Sequence, residues 1–257
     1  MGLKTMGLLA LVALTAVSCR SEEPAEIAPA PTVTVTVSPS ATPSVTARPV
    51  SLCANESSVV EVRRFREPGE VTADVDGDGT DDVISIYIDP DATPGCQAFL
   101  VAETGGGLIS GVMRYDPAFG LTAPRLAGAA EVNGVPGSEI VVDMGAGAST
   151  QFAGLFTYEA GALVQIEVRG GDPNDLFAYG GSVGHVEAVD CTQDGLVVVS
   201  AALPQADEYL LTRSFFAADG ALLLPLRGEE QRIRIRLEEL DRYPEFAHSP
   251  FGGCPSS

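Results

Sequence analysis

The sequence predicts an all-β fold, and three observations support that prediction. Runs rich in Val, Ile, Leu, Phe and Tyr alternate with breaks rich in Gly, Asp and Pro, which is the pattern of short strands joined by turns. No comparable window has a helical apolar stripe, apart from a possible short turn at Leu237–Arg242. One plan also recurs three times, in units near 71–127, 128–184 and 185–240.

Each unit contains an acidic segment followed by apolar runs. DVDGDGTDDVIS at 74–85 aligns with EVNGVPGSEIVV at 131–142, and DCTQDGLVVVS at 190–200 is a shorter third copy, so the spacing is about 57 residues. We call these segments the first, second and third acidic loops. Two further apolar runs, Ser58–Phe65 and Gln231–Leu237, are left outside the repeats, and we expect them to pair as an additional sheet.

The acidic loops resemble the calcium-binding repeats of integrin α-chain β-propellers and of the related bacterial FG-GAP and VCBS families. The resemblance is closest at 74–84, partial at 131–142 and weakest at 190–200. In that family each repeat of about this length builds one four-stranded blade. The resemblance therefore implies about three blades in a small or incomplete β-propeller, because three are too few for an ordinary closed ring. A twisted β-sandwich is the alternative.

The first acidic loop predicts one structural Ca²⁺ site. In D-x-D-x-D-G-x-x-D, the side chains at positions 1, 3, 5 and 9 can converge on one cation, and position 7 can lend a backbone oxygen. These positions are occupied by Asp74, Asp76, Asp78, Asp82 and Thr80. Hard oxygen ligands without His or Cys favour Ca²⁺ over Zn²⁺. A solvated Asp/Gly turn is the alternative.

An EF-hand is a weaker interpretation of the same segment. It needs an acidic residue at position 12, which is Ser85 here, and it needs flanking helices, whereas the flanks here are β-branched. In the second loop Val135-Pro136 replaces Asp-Gly, which leaves Glu131, Asn133 and Glu139. In the third loop the ninth position is Val198, which leaves Asp190, Thr192 and Asp194. We expect neither of these two loops to bind a metal.

Residues 1–18 have the basic start and apolar middle of a secretory signal. Their end, followed by Cys19, resembles a bacterial lipoprotein signal, although Ala16 stands where such signals prefer Leu. The resemblance implies that Cys19 becomes the lipidated first residue and anchors the chain at the outer face of a bacterial cell membrane. A plain secretory signal and a secreted protein are the alternative.

The cysteine count agrees with lipidation. There are five cysteines, so acylation of Cys19 would leave four for two disulfides in an oxidising compartment. Four cysteines allow three connectivities. We favour Cys53 with Cys96 and Cys191 with Cys254, because each pair would tie a terminus to the body.

Composition separates a tether from the folded domain. Residues 19–51 are rich in Pro, Thr and Ser without any aromatic residue, which predicts an extended, disordered tether before a β-repeat domain at 52–257. The formal net charge of −20 repels phosphate backbones and argues against nucleic acid as a partner. It also repels anionic headgroups, so membrane association should depend on the lipid.

The sequence contains little that points to an enzyme. The segment Gly180–Gly184 matches G-x-S-x-G around Ser182, but a nucleophile elbow needs a following helix, and the alternating run HVEAVD follows instead. We interpret His185, beside it, as a strand residue; the other histidine is His248. No zinc spacing, Walker loop or dinucleotide fingerprint is present.

We therefore expect a non-catalytic binding or envelope-accessory module with a protein or glycan ligand. The alternative is a secreted cell-wall or glycan hydrolase with its site on the repeat loops. Two structural features would favour the hydrolase: Ser182 within hydrogen-bond reach of a histidine, or a cleft with facing acidic residues.

Overall fold

The computed structural model describes residues 53, 65–114, 123–193, 195–205, 208–247 and 249–255. Within these ranges the fold is all-β, as predicted, with fifteen strands and two short 3-10 helices. The expected signal peptide, Cys19, the tether and nearly all of Ser58–Phe65 lie outside the described residues. In the part of the chain that is described, no helix has the length and apolar character that a membrane crossing requires.

The first unit forms a four-stranded antiparallel sheet in sequence order. Its strands are β1 (Val71–Ala73), β2 (Asp82–Ile88), β3 (Ala98–Thr104) and β4 (Gly107–Met113). Successive side chains of a strand point to opposite faces. Accordingly, Ile84 and Ile86 pack in a core shared with the second sheet, while Tyr87 packs beside Phe65 and the cysteines at 53 and 96.

The second and third units repeat this meander. In the second unit the strands are β5 (Arg125–Ala130), β6 (Glu139–Ala146), β7 (Thr150–Glu159), β8 (Ala162–Gln165) and the short β9 (Glu167–Val168). Strand β10 (Phe177–Ser182) ends the second unit, and the strands of the third are β11 (His185–Thr192), β12 (Gly195–Gln205), β13 (Glu208–Asp219), β14 (Leu222–Pro225) and β15 (Gln231–Arg236). Consecutive antiparallel pairs run from β5 to β8 and from β10 to β14.

Strand β10 joins these two units into one eleven-stranded sheet, because it pairs with β7 on one side and β11 on the other. The sheet also curls back on itself. Strand β8 pairs with β7, and β9, only one residue further on, pairs in parallel with β14 at the far end. The curled sheet covers a core that includes Leu155, Ile166, Phe177 and Phe216.

The C-terminal segment ties the second and third units together. Two 3-10 helices, Leu237–Arg242 and Pro244–Phe246, lead to residues 249–255. Phe251 packs edge-on against Phe177 at a ring-centroid distance of 5.5 Å, and its N–H donates to the Val189 carbonyl. The Pro255 carbonyl accepts from the N–H of Glu131 at 2.8 Å. The short turn expected at Leu237–Arg242 is therefore present as the first of these helices.

The structure contains two disulfides, and they are the pairs that we favoured from the sequence. Cys53 is bonded to Cys96 across a Cα–Cα distance of 5.5 Å, and Cys191 to Cys254 across 4.7 Å. Such bonds persist in oxidising compartments, so they indicate a non-cytoplasmic protein.

Candidate functional site

The first acidic loop connects β1 to β2 and is wrapped around its first carboxylate. Asp74 Oδ1 accepts the N–H of Gly77 at 2.8 Å and that of Asp78 at 3.1 Å, and Oδ2 accepts the N–H of Gly79 at 2.9 Å. Gly77 and Gly79 have φ of 76° and 85°, values that glycine adopts without the strain other residues incur. The alternation of Asp and Gly in the sequence is therefore what lets the chain fold tightly here.

This wrapping brings three carboxylates together. Asp74, Asp76 and Asp78 each offer an oxygen, and these oxygens all lie within 4.8 Å of one another. Like charges at such distances repel one another, and a cation among them would reverse the sign of the interaction. The cluster could hold a metal ion.

Asp82 and Thr80, the other two expected ligands, are placed differently. Asp82 begins β2 and is only 1% exposed; its Oδ2 accepts the N–H of Val75 at 3.0 Å, and its Oδ1 has no partner among the described residues. Burial raises the pKa of Asp82, and the charges of Asp76 and Asp78 act in the same direction. Thr80 donates its N–H to Asp78 Oδ1 at 2.7 Å. Asp82 is not among the three carboxylates whose oxygens lie within 4.8 Å of one another, but it is close enough to be affected by the charges of Asp76 and Asp78. Its buried oxygen without a partner among the described residues fits a cation-binding loop.

The second acidic loop, between β5 and β6, is closed by hydrogen bonds to the side chains of Glu139 and Asn133. Glu139 is buried; its Oε2 accepts the N–H groups of Val132 and Asn133 at 2.7 and 3.1 Å, and its Oε1 accepts the Thr157 hydroxyl at 3.0 Å. Asn133 Oδ1 accepts the N–H of Val135 at 2.7 Å. Burial raises the pKa of Glu139, and these hydrogen bonds oppose the shift.

The first two loops pack directly against each other. The Ser138 N–H donates to the Asp74 carbonyl at 2.6 Å. A Cβ added at Gly77 would lie 2.7 Å from the Pro136 carbonyl oxygen, and one added at Gly137 would lie 2.5 Å from the Val75 carbonyl oxygen. Pro136 stands in the second loop at the position of the flexible Gly79 in the first, and it contacts the first loop at Gly77.

The third acidic loop anchors the C-terminal segment. Asp190 is 2% exposed, and its Oδ1 accepts the N–H groups of Cys191 at 2.9 Å and Gly253 at 2.6 Å. The disulfide to Cys254 closes the same contact. Asp194 lies outside the described residues. The carboxylate at the first position of this loop therefore binds backbone N–H groups.

The G-x-S-x-G segment is a β-hairpin and not a strand–turn–helix elbow. Ser182 and His185 are the closing pair between β10 and β11. The Ser182 hydroxyl lies 3.4 Å from His185 Nδ1, and His185 Nε2 lies 2.9 Å from the Thr150 hydroxyl. The serine is thus within reach of a histidine, as the hydrolase alternative requires. The imidazole, however, meets hydroxyls on both sides within the described residues, and His248 lies outside them.

A second polar site, which the sequence analysis did not single out, lies in the curled sheet. It is a cavity of about 500 Å³ whose wall includes Arg125, Asp143 and Tyr179. Arg125 Nε donates to Asp143 Oδ2 at 2.7 Å, and the Tyr179 hydroxyl hydrogen-bonds to Asp143 Oδ1. One signal was available in the sequence: Asp143 interrupts the apolar run of β6, and a buried acidic residue usually has a specific partner. Nothing in the sequence pointed to the others.

Comparison with family models, with curated proteins and with solved structures gave no match. The fold and the sites alone therefore define the class: an all-β, disulfide-bonded protein with, in its described part, one acidic loop that could hold a metal ion.

Proposed function

We propose that this protein is a non-catalytic, lipid-anchored extracellular module with a binding or envelope-accessory role, in which one structural Ca²⁺ holds the first acidic loop together. The observation that carries the proposal is the cluster of Asp74, Asp76 and Asp78 oxygens within 4.8 Å. Asp82 and the backbone oxygen of Thr80 would complete the ligand set. All of these ligands are hard oxygens, which is the preference of Ca²⁺.

A Ca²⁺ bound in the first acidic loop, which we call the metal staple, would stabilise two loops at once. When bound, the cation neutralises the carboxylates of the first loop. That loop carries the Asp74 carbonyl, which receives the Ser138 N–H, and it carries Gly77, which contacts Pro136. Ordering the first loop therefore also orders the second loop, and with it the contact between the two sheets.

The proposal also assigns the repeats to the FG-GAP and VCBS kind. Two consecutive four-stranded antiparallel meanders, β1 to β4 and β5 to β8, each with an acidic loop between its first two strands, support this assignment. Blades of a small or incomplete propeller are one arrangement of such units. The pairing of β10 with both β7 and β11 supports the twisted sandwich instead, because it merges two units into one sheet.

Anchoring at the outer face of a bacterial membrane follows from the signal-like segment before Cys19 and agrees with two disulfides in the folded domain. Metabolic labelling with an alkyne fatty acid checks it. We expect label on the native chain and none on a Cys19→Ser variant. Label that persists in the variant, or a native chain released unlabelled into the medium, would contradict the anchor.

Thermal melting with and without chelator tests the metal staple. Calcium at about one hundred times its Kd would stabilise the fold by about 2.7 kcal/mol. For a domain of this size that corresponds to a rise in Tm of roughly 5–10 °C. Magnesium and zinc at matched concentrations should give a smaller rise. A Tm that changes neither with calcium nor with chelator would falsify the metal staple.

A secreted cell-wall or glycan hydrolase is the second candidate, and two observations favour it: a Ser–His pair would serve acyl hydrolysis, and neighbouring acidic residues would serve glycoside hydrolysis. Ser182 lies within reach of His185, and the cavity wall carries the acidic residues Asp143, Glu187 and Glu245. Against it, Asp143 and Glu245 are paired with Arg125 and Arg213. In each pair the guanidinium occupies a carboxylate oxygen that a catalytic acid or base would direct at the substrate. Release of new reducing ends from wall polysaccharide by the purified protein would decide for the hydrolase.

A further inference from the structure

The cavity in the curled sheet is built from distant parts of the chain. Its volume of about 500 Å³ falls within the range of small-ligand sites. Strand β5 contributes Arg125, β6 contributes Asp143, β11 contributes Glu187 and the second 3-10 helix contributes Glu245. Four elements thus place hydrogen-bonding side chains around one space.

Two β-bulges shape the wall. The β5–β6 register shifts between Leu126 and Gly128, and the β6–β7 register shifts between Asp143 and Gly145. Bulges bend a strand and redirect its side chains, and they are frequent beside binding sites. Here they flank Ala127 and Asp143, both of which line the cavity.

The polar groups of the wall are held in place by one another. One oxygen of Asp143 accepts a hydrogen bond from Arg125, and the other accepts one from Tyr179. The Tyr179 hydroxyl also lies 2.7 Å from Gln151 Oε1. Burial raises the pKa of Tyr179, and the hydrogen bond to Asp143 raises it further, so the hydroxyl keeps its proton at neutral pH. This network presents a rigid set of donors and acceptors, and rigidity lowers the cost of binding.

The charge balance of the wall favours a neutral ligand. Asp143 is compensated by Arg125, and Glu245 by Arg213, so Glu187 is the lining carboxylate without an ion pair to Arg among the described residues. A site for a polyamine would instead keep several carboxylates uncompensated.

The wall also combines planar polar groups with apolar surface. Guanidinium, amide and carboxylate groups can contact two neighbouring hydroxyls at once, and a hydroxyl both donates and accepts. Phe246, Val186 and Pro250 lie in the same wall and offer surface for C–H faces. A sugar ring matches both features, because it carries hydroxyls at its edge and C–H groups on its faces.

We propose that this cavity binds a neutral saccharide, in contact with Arg125, Gln151, Tyr179 and Glu187. This inference deepens the proposed binding role and rests on it, but it does not depend on the metal, because the cavity lies in the other sheet from the first acidic loop. A half-open space of this size suits one or two sugar units at the end of a longer chain.

Isothermal titration calorimetry of the purified protein tests the proposal. The probes are chitotetraose and cellotetraose as neutral oligosaccharides and spermidine as a cation. We expect saturable binding of at least one oligosaccharide, with a Kd of about 10 µM to 1 mM, and no competition by spermidine. Glu187→Ala and the nearly isosteric Tyr179→Phe should each weaken binding by about tenfold. Arg232→Gln, on exposed β15, is the control and should bind as the native chain does.

Three results would overturn the saccharide site: no saturable heat up to about 10 mM of either oligosaccharide, binding that both cavity variants leave unchanged, or spermidine binding without oligosaccharide binding. The proposed function fails separately. Oligosaccharide that binds and is then shortened would support the cavity and refute a non-catalytic role. Binding together with a Tm indifferent to chelator would support the cavity and refute the staple.

Discussion

The first and second acidic loops occupy equivalent positions in adjacent units, yet they compensate their charges in different ways. In the first, three carboxylates converge within 4.8 Å and a fourth has a buried oxygen without a partner among the described residues. In the second, the Glu139 carboxylate is saturated by two backbone N–H groups and a hydroxyl. One backbone plan can therefore present either a carboxylate cluster that could hold a cation or a loop closed by internal hydrogen bonds, and the choice depends on a few side chains.

The shared element of the two loops is the acidic residue at the ninth position. Asp82 receives the Val75 N–H, and Glu139 receives the N–H of Val132, at the matching position of its own loop. In the third loop this position is Val198, and the first position, Asp190, binds the C-terminal segment instead. The ninth carboxylate thus acts on the backbone in both loops that retain it, besides any role toward a metal.

Removal of the Glu139 carboxylate, which accepts three hydrogen bonds within the protein, should give the largest loss of stability. Glu139→Ala leaves two N–H groups and one hydroxyl without their acceptor, and each buried donor costs about 1–3 kcal/mol. We expect a loss of about 4 kcal/mol in the free energy of unfolding, equal with calcium and with chelator, in urea titrations. Glu131→Ala, at an exposed position of the same loop, is the matched control and should change stability by less than about 0.5 kcal/mol. An equal effect of the two variants would refute the assigned role of Glu139.

The contact between the two loops can be tested at one glycine. Gly77 and Gly79 both have positive φ, but only a Cβ at Gly77 would meet the Pro136 carbonyl, at 2.7 Å. Gly79→Ala should therefore cost about 1 kcal/mol, the strain of the left-handed backbone alone. Gly77→Ala should cost about 3 kcal/mol and weaken calcium binding, because overpacking adds to that strain. Similar losses of stability in the two variants would show that the loops do not need this contact.

Neutralising one ligand should abolish the response to calcium without harming the metal-free fold. Asp78→Asn keeps an oxygen for the Thr80 N–H and removes one charge from the cluster. We expect the increment of about 2.7 kcal/mol from calcium to disappear, while the chelated protein melts at or above the native temperature. Asp81→Asn removes an equal charge at an exposed position outside the cluster and should leave the calcium response intact. A calcium response that survives Asp78→Asn would place the metal elsewhere.

The smallest expected effect is on pH dependence. Burial raises the pKa of Glu139 above its usual 4.5, so the folded state holds that proton more tightly than the unfolded state. The stability due to this group is therefore fully present below about 4.5 and is lost as the pH rises through the higher folded value. In chelator, the native chain should gain more stability than Glu139→Gln when the pH falls from 7 towards 5. Parallel pH profiles would contradict the raised pKa.

The strand runs and the acidic cluster follow from local pattern. VISIYI and EIVVDM are largely apolar runs because β2 and β6 are interior strands that are buried along most of their length. The Asp and Gly spacing of 74–79 is the spacing that wraps the loop. The burial of Asp82 could not be predicted from this local pattern. A carboxylate expected at the metal also binds backbone, because its place at the start of β2 buries it.

By itself, the sequence determined the all-β class and the acidic loop, because these depend on residue type and on period within a few residues. The tertiary structure alone decided that β10 joins two units, that Pro136 supports Gly77, and that Arg125, Asp143, Tyr179 and Glu245 share one cavity. Such contacts join residues far apart in the chain, and strand pairing and shape select them. No short segment carries that information.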